Sequence, residues 1–266
     1  EVWRYDVGSI EMLVLEASRY VSVDESRILP GVTAIDVATQ IADIVSLRPL
    51  TLHTTELVLR PIERPISFRP GQWISLQLPV GDHPPLNRAY SLAEPPSPTG
   101  HLTLVFDHVP GGKGSGYLSS LKPGDRIPLS GPYGHFTLPD PDSKNLLLIG
   151  RYSGLVPLRC MIRSLARQGP LPFTTLIAQA PSPAEQLYHN EFLNLAQSQP
   201  NFRYLPLVNE DPMNNARTVE AIKQVASTGR NVTPMIAGIK SFARPLRTFF
   251  MELGFDRREV KLETYD

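Results

Sequence analysis

Between residues 73 and 78 the chain alternates, with Trp73, Ser75 and Gln77 set between Ile74, Leu76 and Leu78. A period of two is what a strand with one buried face requires, because successive side chains point to opposite sides. Short extended runs recur from about Ile44 to Leu138, at TTELVLRP (54–61), RAYSLAE (88–94), HLTLVFDHV (101–109) and DRIPLSGPYGHFTL (125–138). Pro and Gly punctuate them, so this stretch reads as a small antiparallel barrel or sandwich. One helix interrupts it: SGYLSSL, residues 115–121, closed by Lys122-Pro123-Gly124.

From Asn145 the period changes. NLLLIG (145–150) is a continuous apolar run, as a parallel strand buried on both faces requires. Leu158, Met161, Ile162 and Leu165 then recur at helical spacing up to Gly169. Strands at FTTLIAQA (173–180), FRYLPLV (202–208) and TPMIAGI (233–239) alternate with helices at 184–199, 218–227 and 241–254, and EVKLETYD closes the chain. That alternation predicts a parallel α/β sheet, whose ligands lie beyond the carboxyl ends of its strands. The loops Gly150–Pro157 and Gly238–Phe242 are therefore candidate binding loops. Residues 1–40 fit neither half: SIEMLVLEASRYVSVDES (9–26) suits a helix or a hairpin. The expected division is an N-terminal extension at 1–40, a β half at 41–141 and an α/β half at 142–266.

Composition narrows the function. Lys plus Arg and Asp plus Glu both number 26, so no net field favours nucleic acid. The 27 prolines are about twice a typical share of roughly 5%, which suits strands and turns. One cysteine, Cys160, excludes an internal disulfide and a cluster held by four thiolates. The six histidines are scattered without ligand spacing, so no metal site is expected. No apolar run approaches the roughly 18 residues of a membrane span, and no signal peptide is visible. A cytoplasmic location is the expectation. The start at Glu1 suggests a processed or trimmed beginning, or a piece of a longer polypeptide.

Chemistry has two candidate seats in the β half. In PLNRAYSLAEPP (85–96), Arg88 and Tyr90 share one face of a strand and Ala89 and Ser91 the other. An Arg beside an aromatic offers a phosphate fork and a stacking surface. In VPGGKGSGYL (109–118), Gly111, Gly112, Gly114 and Gly116 lead into a helix with Ser115 as the expected cap. Free N–H groups at such a start suit an anion.

In order, RPGQW (69–73), RAYS (88–91), GGKGSGYL (111–118), GPYGHF (131–136), LLLIGRYSGLVP (146–157) and GFDRREVKLETYD (254–266) resemble the ferredoxin–NADP reductase superfamily, in particular reductases that feed oxygenases. The resemblance implies a six-stranded antiparallel flavin-binding barrel followed by a Rossmann-like parallel-sheet nucleotide domain. It implies FAD, with FMN second, and a hydride passed from NAD(P)H to the flavin before electrons leave singly. Arg88 would pair the flavin pyrophosphate, and Tyr90 would stack on the ring with Ala89 beside it. His108, Val109, Gly112, Lys113, Gly114 and Ser115 would hold the tail and diphosphate, although Asp107 stands where relatives often carry a base. Ser91, Glu263 and Tyr265 would serve catalysis at the reacting edge, with Tyr265 also able to shield the flavin. Gly150, Gly154, Pro157 and Gly238 would meet the nicotinamide nucleotide.

The nicotinamide side departs from the family pattern. Arg151 and Tyr152 replace small residues in a turn where the backbone must approach pyrophosphate. Ala237-Gly238 stands for Cys-Gly, and LVNEDPMNNA (207–216) lacks the aromatic–glycine segment of many relatives. With Gln179 after the second parallel strand and no base until Arg203, NADH is expected over NADPH. Two functions stay open. One is a flavin oxidoreductase passing electrons between NAD(P)H and a separate redox protein, such as a ferredoxin or an oxygenase. The other is a reductase-fold subunit of a larger complex, with flavin or none, that has lost direct nicotinamide chemistry.

Overall fold

The computed structural model describes residues 2–6, 9–16, 19–23, 39–81, 85–139, 145–211, 214–226 and 231–265. The ambiguous beginning is strand, not helix. Strands β1 (Val2–Asp6), β2 (Ser9–Glu16) and β3 (Arg19–Val23) pair antiparallel in chain order. Residues 24–38 lie outside the described residues.

The alternating segments form β4 (Gln40–Pro49), β5 (Thr54–Pro61), β6 (Trp73–Leu78), β7 (Leu86–Ser91), β8 (Leu102–Asp107) and β9 (Arg126–Tyr133), in the sheet order β7-β6-β9-β4-β5-β8. On β6 the buried residues are Ile74, Leu76 and Leu78, as the period of two predicts. They join Ile44, Leu57, Leu59 and Leu104 in one core, which helix α1 (Lys113–Ser120) caps with Leu118. Each such burial is worth about 1.5–3 kcal/mol. The sheet curls, but its edge strands β7 and β8 do not form a ladder. They meet at one bridge, Leu92 with Leu104, and at Ala93 N–H donating to Thr103 O over 2.8 Å. The expected barrel therefore has a seam.

Strands β10 (Asn145–Arg151), β11 (Thr174–Ala180), β12 (Phe202–Val208), β13 (Val232–Ile239) and β14 (Lys261–Tyr265) form a parallel sheet ordered β12-β11-β10-β13-β14. Helix α2 (Leu155–Gln168) and helix α3 (His189–Ser198) cover one face, through Leu158, Met161 and Phe192. Helix α4 (Ala216–Ala226) and helix α5 (Lys240–Glu252) cover the other, through Ile222, Phe242, Leu246 and Phe250. Cys160, on α2, instead joins the core of the antiparallel sheet, and burial pushes its thiol up to about 12. It is packing, not a reagent.

The two halves are welded by charge. Arg159 of α2, 4% exposed, reaches Glu191 of α3 at 2.8 Å, Glu94 of the antiparallel half at 2.8 Å and Ala93 O at 2.9 Å. Its guanidinium lies 3.9 Å over the Tyr188 ring, whose hydroxyl donates to Glu56. Arg163 bridges the same two glutamates.

Candidate functional site at the sheet seam

The seam between β7 and β8 brings distant segments together. Tyr90 and Ser91 of β7, Phe106 and Asp107 of β8, Ser153 from the turn after β10, and Tyr265 of β14 line a cleft of about 160 Å³. That is below the roughly 300 Å³ at which pockets enclosing a drug-sized ligand begin. An aromatic ring already stands in it: Tyr265 Oη is 3.2 Å from Ser91 Oγ. Burial pushes the Tyr265 phenol up, and that of Tyr90 to about 12, so both stay neutral, flat hydrogen-bonding faces.

Arg88 faces Leu76 across the ladder, and its stem lies over the start of α1, where a Cβ on Gly114 would come 3.7 Å from Arg88 Cγ. The guanidinium donates to Asn87 O at 2.9 Å and is otherwise exposed. The helix begins two residues earlier than expected. Its cap is Gly112, with no side-chain bond, and Ser115 is not the cap. The Ser115 hydroxyl accepts from Val109 N–H at 3.1 Å and turns back to the Val109 and Gly112 carbonyls. The N–H groups of Lys113 and its neighbours are thus left without a side-chain cap beside a largely exposed guanidinium, an arrangement that suits a phosphate. His108 is not free in this way. Its Nε2 lies 2.8 Å from Thr55 Oγ1 and its Nδ1 3.0 Å from Ser119 Oγ, tying β5, β8 and α1.

Glu263 stands on β14 opposite Ala237, half-buried, and burial pushes its carboxyl up to about 7. The folded state therefore holds this proton more tightly than the unfolded chain does. Stability is lost as pH rises from about 4.5 through about 7. Glu263→Gln should leave urea stability unchanged below pH 4.5 and raise it at pH 8 by about 2 kcal/mol, somewhat under the full linkage value because the group is partly solvated. An equal effect at both pH values would refute the assignment.

The turn after β10 is where the departures from the family pattern gather. Gly154 is required by closeness: a Cβ there would overlap the Ala237 carbonyl of β13. Gly150 is buried in the sheet, Pro157 is buried in the first turn of α2, and Gly238 has φ 154° beside Phe242 and Arg151. Tyr152 has φ 53°, a left-handed conformation that glycine adopts freely and tyrosine does not. Its hydroxyl holds it there, accepting from Thr54 Oγ1 at 2.8 Å and donating to Glu185 Oε2 at 3.1 Å. Ser153 donates to Asp107 Oδ2 at 2.8 Å. Burial raises the Asp107 pKa, against the hydrogen bonds from Ser153 and Thr54.

Arg151 is buried and turns along the strand ends, where its Nη1 donates to Gln179 Oε1 at 2.9 Å and Asn209 O at 3.1 Å. Burial lowers its pKa, and Asp211 opposes this. The sequence showed no base near Gln179, yet the fold brings one. Ala237 carries less weight than its place in the sequence suggested, since its side chain is fully buried in the core under α2 rather than lining the cleft. Residues 212 and 213 of the segment after β12 lie outside the described residues. Glu185 and Thr54 escaped sequence reasoning altogether; neither belongs to a spaced motif.

An open seam beside a helix start is thus coupled to a parallel sheet in the order β12-β11-β10-β13-β14. Residues 51–138 match the family model of the oxidoreductase FAD-binding domain. The chain is 36% identical over 200 residues to the reductase component of phenol 2-monooxygenase from Pseudomonas sp. strain CF600, covering 74% of this chain and 53% of that protein. It is 29% identical over 237 residues to ferredoxin–NADP reductase B of Sorangium cellulosum, covering 85% and 97%. The crystal structure of the Amycolatopsis cytochrome P450 reductase GcoB superposes with a TM-score of 0.73 at 25% identity, over 86% of this chain and 70% of that one. The chain belongs to the ferredoxin–NADP reductase superfamily. It spans about half the length of the oxygenase reductase components that it matches.

Proposed function

We propose that this chain is a flavin-dependent electron-transfer oxidoreductase that holds FAD, with FMN second, at the seam and passes electrons between NAD(P)H and a separate redox protein. A ferredoxin, an oxygenase or another subunit of a complex fits that last role. The observation that carries this reading is the meeting of Arg88, the uncapped α1 start, Tyr90 and Tyr265 along one seam. The residues fit the group. Arg88 and the N–H groups near Gly114 would hold the pyrophosphate, Tyr90 the ring, and Ser91 its polar edge. Tyr265 would have to shift or stack, since the cleft as it stands is small. When bound, the flavin supplies a ring that takes up an electron pair and releases it one electron at a time.

Arg88→Ala should weaken flavin retention roughly ten- to a hundred-fold, the worth of about 1.5–3 kcal/mol for a charged hydrogen bond. Absorbance spectra and titration with FAD and FMN test this. A protein without flavin absorbance that takes up neither would defeat the reading. NADH is the proposed nucleotide over NADPH. Arg151 is already engaged by Gln179 and Asn209, and the exposed Glu210 and Asp211 that follow β12 would repel a 2′-phosphate. Tyr152, bonded to Thr54 and Glu185, favours the second reading, a subunit that keeps the fold without direct nicotinamide chemistry.

A further inference from the structure

Two carboxyl groups on opposite halves of the molecule are joined through two hydroxyls. Asp107 lines the cleft, and its Oδ1 lies 3.4 Å from Thr54 Oγ1. Thr54 Oγ1 is 2.8 Å from Tyr152 Oη, which is 3.1 Å from Glu185 Oε2. Thr51 Oγ1 donates to the same Glu185 oxygen at 2.6 Å, and Thr51 adjoins the exposed Leu52 and His53. The first link is the longest, beyond the usual O–H···O range. Every member can both give and take a proton, which a structural ion pair cannot do.

We infer that Asp107, Thr54, Tyr152 and Glu185 form a proton relay between the seam cleft and the surface at Thr51. The relay rests on the flavin reading but not on the choice of nucleotide. A hydride carries two electrons and one proton. When the two electrons depart singly to an acceptor, the proton remains in the cleft and has to leave. If the electrons instead arrive singly from a protein donor, one proton has to enter. Outward transfer runs from the Asp107 carboxyl to Thr54, from the Thr54 hydroxyl to Tyr152, from the Tyr152 hydroxyl to Glu185, and from Glu185 by way of the Thr51 hydroxyl to solvent; each hydroxyl takes up one proton as it gives one, and Asp107 is reprotonated from the cleft. The groups facing Asp107 are Tyr90 and Tyr265 in the cleft, Glu185 across the junction and His108 beside it. Burial raises the Asp107 pKa, so its carboxylate takes up a proton more readily than a solvated one would.

The test uses the full chain loaded with FAD, photoreduced without oxygen in weak buffer containing a pH-indicator dye, then mixed with ferricyanide. Two ferricyanide ions take two electrons and no proton, so whatever protons the reduced flavin holds must appear in solution as it is reoxidised. In the unmodified protein the dye should respond together with the return of flavin absorbance. In Tyr152→Phe, which keeps the ring, and in Asp107→Asn, proton appearance should slow at least ten-fold. Added formate should restore it in Asp107→Asn. Flavin uptake with the dye response unchanged in both variants would overturn the relay alone. Failure of the unmodified chain to take up flavin would overturn the flavin reading, and the relay with it.

Discussion

Arg159→Met is expected to destabilise the protein by about 3 kcal/mol, toward the low end of what breaking a buried ion pair costs. The arginine is 4% exposed and pairs with Glu94 and Glu191 from opposite halves. Methionine of similar length would keep contact with the Tyr188 ring but would leave both carboxylates without their buried partner. The carboxylates are 23% and 29% exposed, and Arg163 still reaches each, which moderates the loss. Urea unfolding of both proteins gives the number directly. A loss below about 1 kcal/mol would mean that the network is worth no more than a surface pair.

With flavin bound, NADH is expected to bleach the unmodified chain far more slowly than dithionite does. The double variant Arg151→Gly, Tyr152→Gly should be faster by about 100-fold, the cost of misplacing reacting atoms by about 1 Å. Tyr152 occupies the turn that a pyrophosphate must approach, and its bonds to Thr54 and Glu185 hold the ring across the junction. Glycine removes that bulk and relieves a left-handed tyrosine, a strain of about 1–2 kcal/mol. Removing Arg151 frees the Gln179 and Asn209 oxygens at the strand ends. Anaerobic stopped-flow with NADH and NADPH separates the outcomes. Rapid bleaching by NADH in the unmodified chain would make Tyr152 irrelevant to hydride access, and a higher kcat/KM with NADPH would reverse the nucleotide preference.

The sequence by itself determined the elements and their kind. Alternation at Ile74, Leu76 and Leu78 settled a one-faced strand, and the unbroken run before Gly150 settled a strand covered on both sides. These patterns are legible because burial of one face or two leaves its period in the chain. Where a period was short and mixed, as at residues 9–26, helix and hairpin could not be separated until pairing was seen. The candidate site was legible in its parts, since Arg88-x-Tyr90-Ser91 and the glycine-rich helix start are contiguous motifs. Only the tertiary structure decided how the parts meet. It left a seam where a barrel would close, turned Ala237 into the core and swung Arg151 onto Gln179. It also joined Asp107 to Glu185 through Thr54 and Tyr152. Those facts depend on which residues of one half face which residues of the other. A chain's local periodicity reports how much of each element is buried, but not against what, because docking is set by the summed shape and charge of both surfaces.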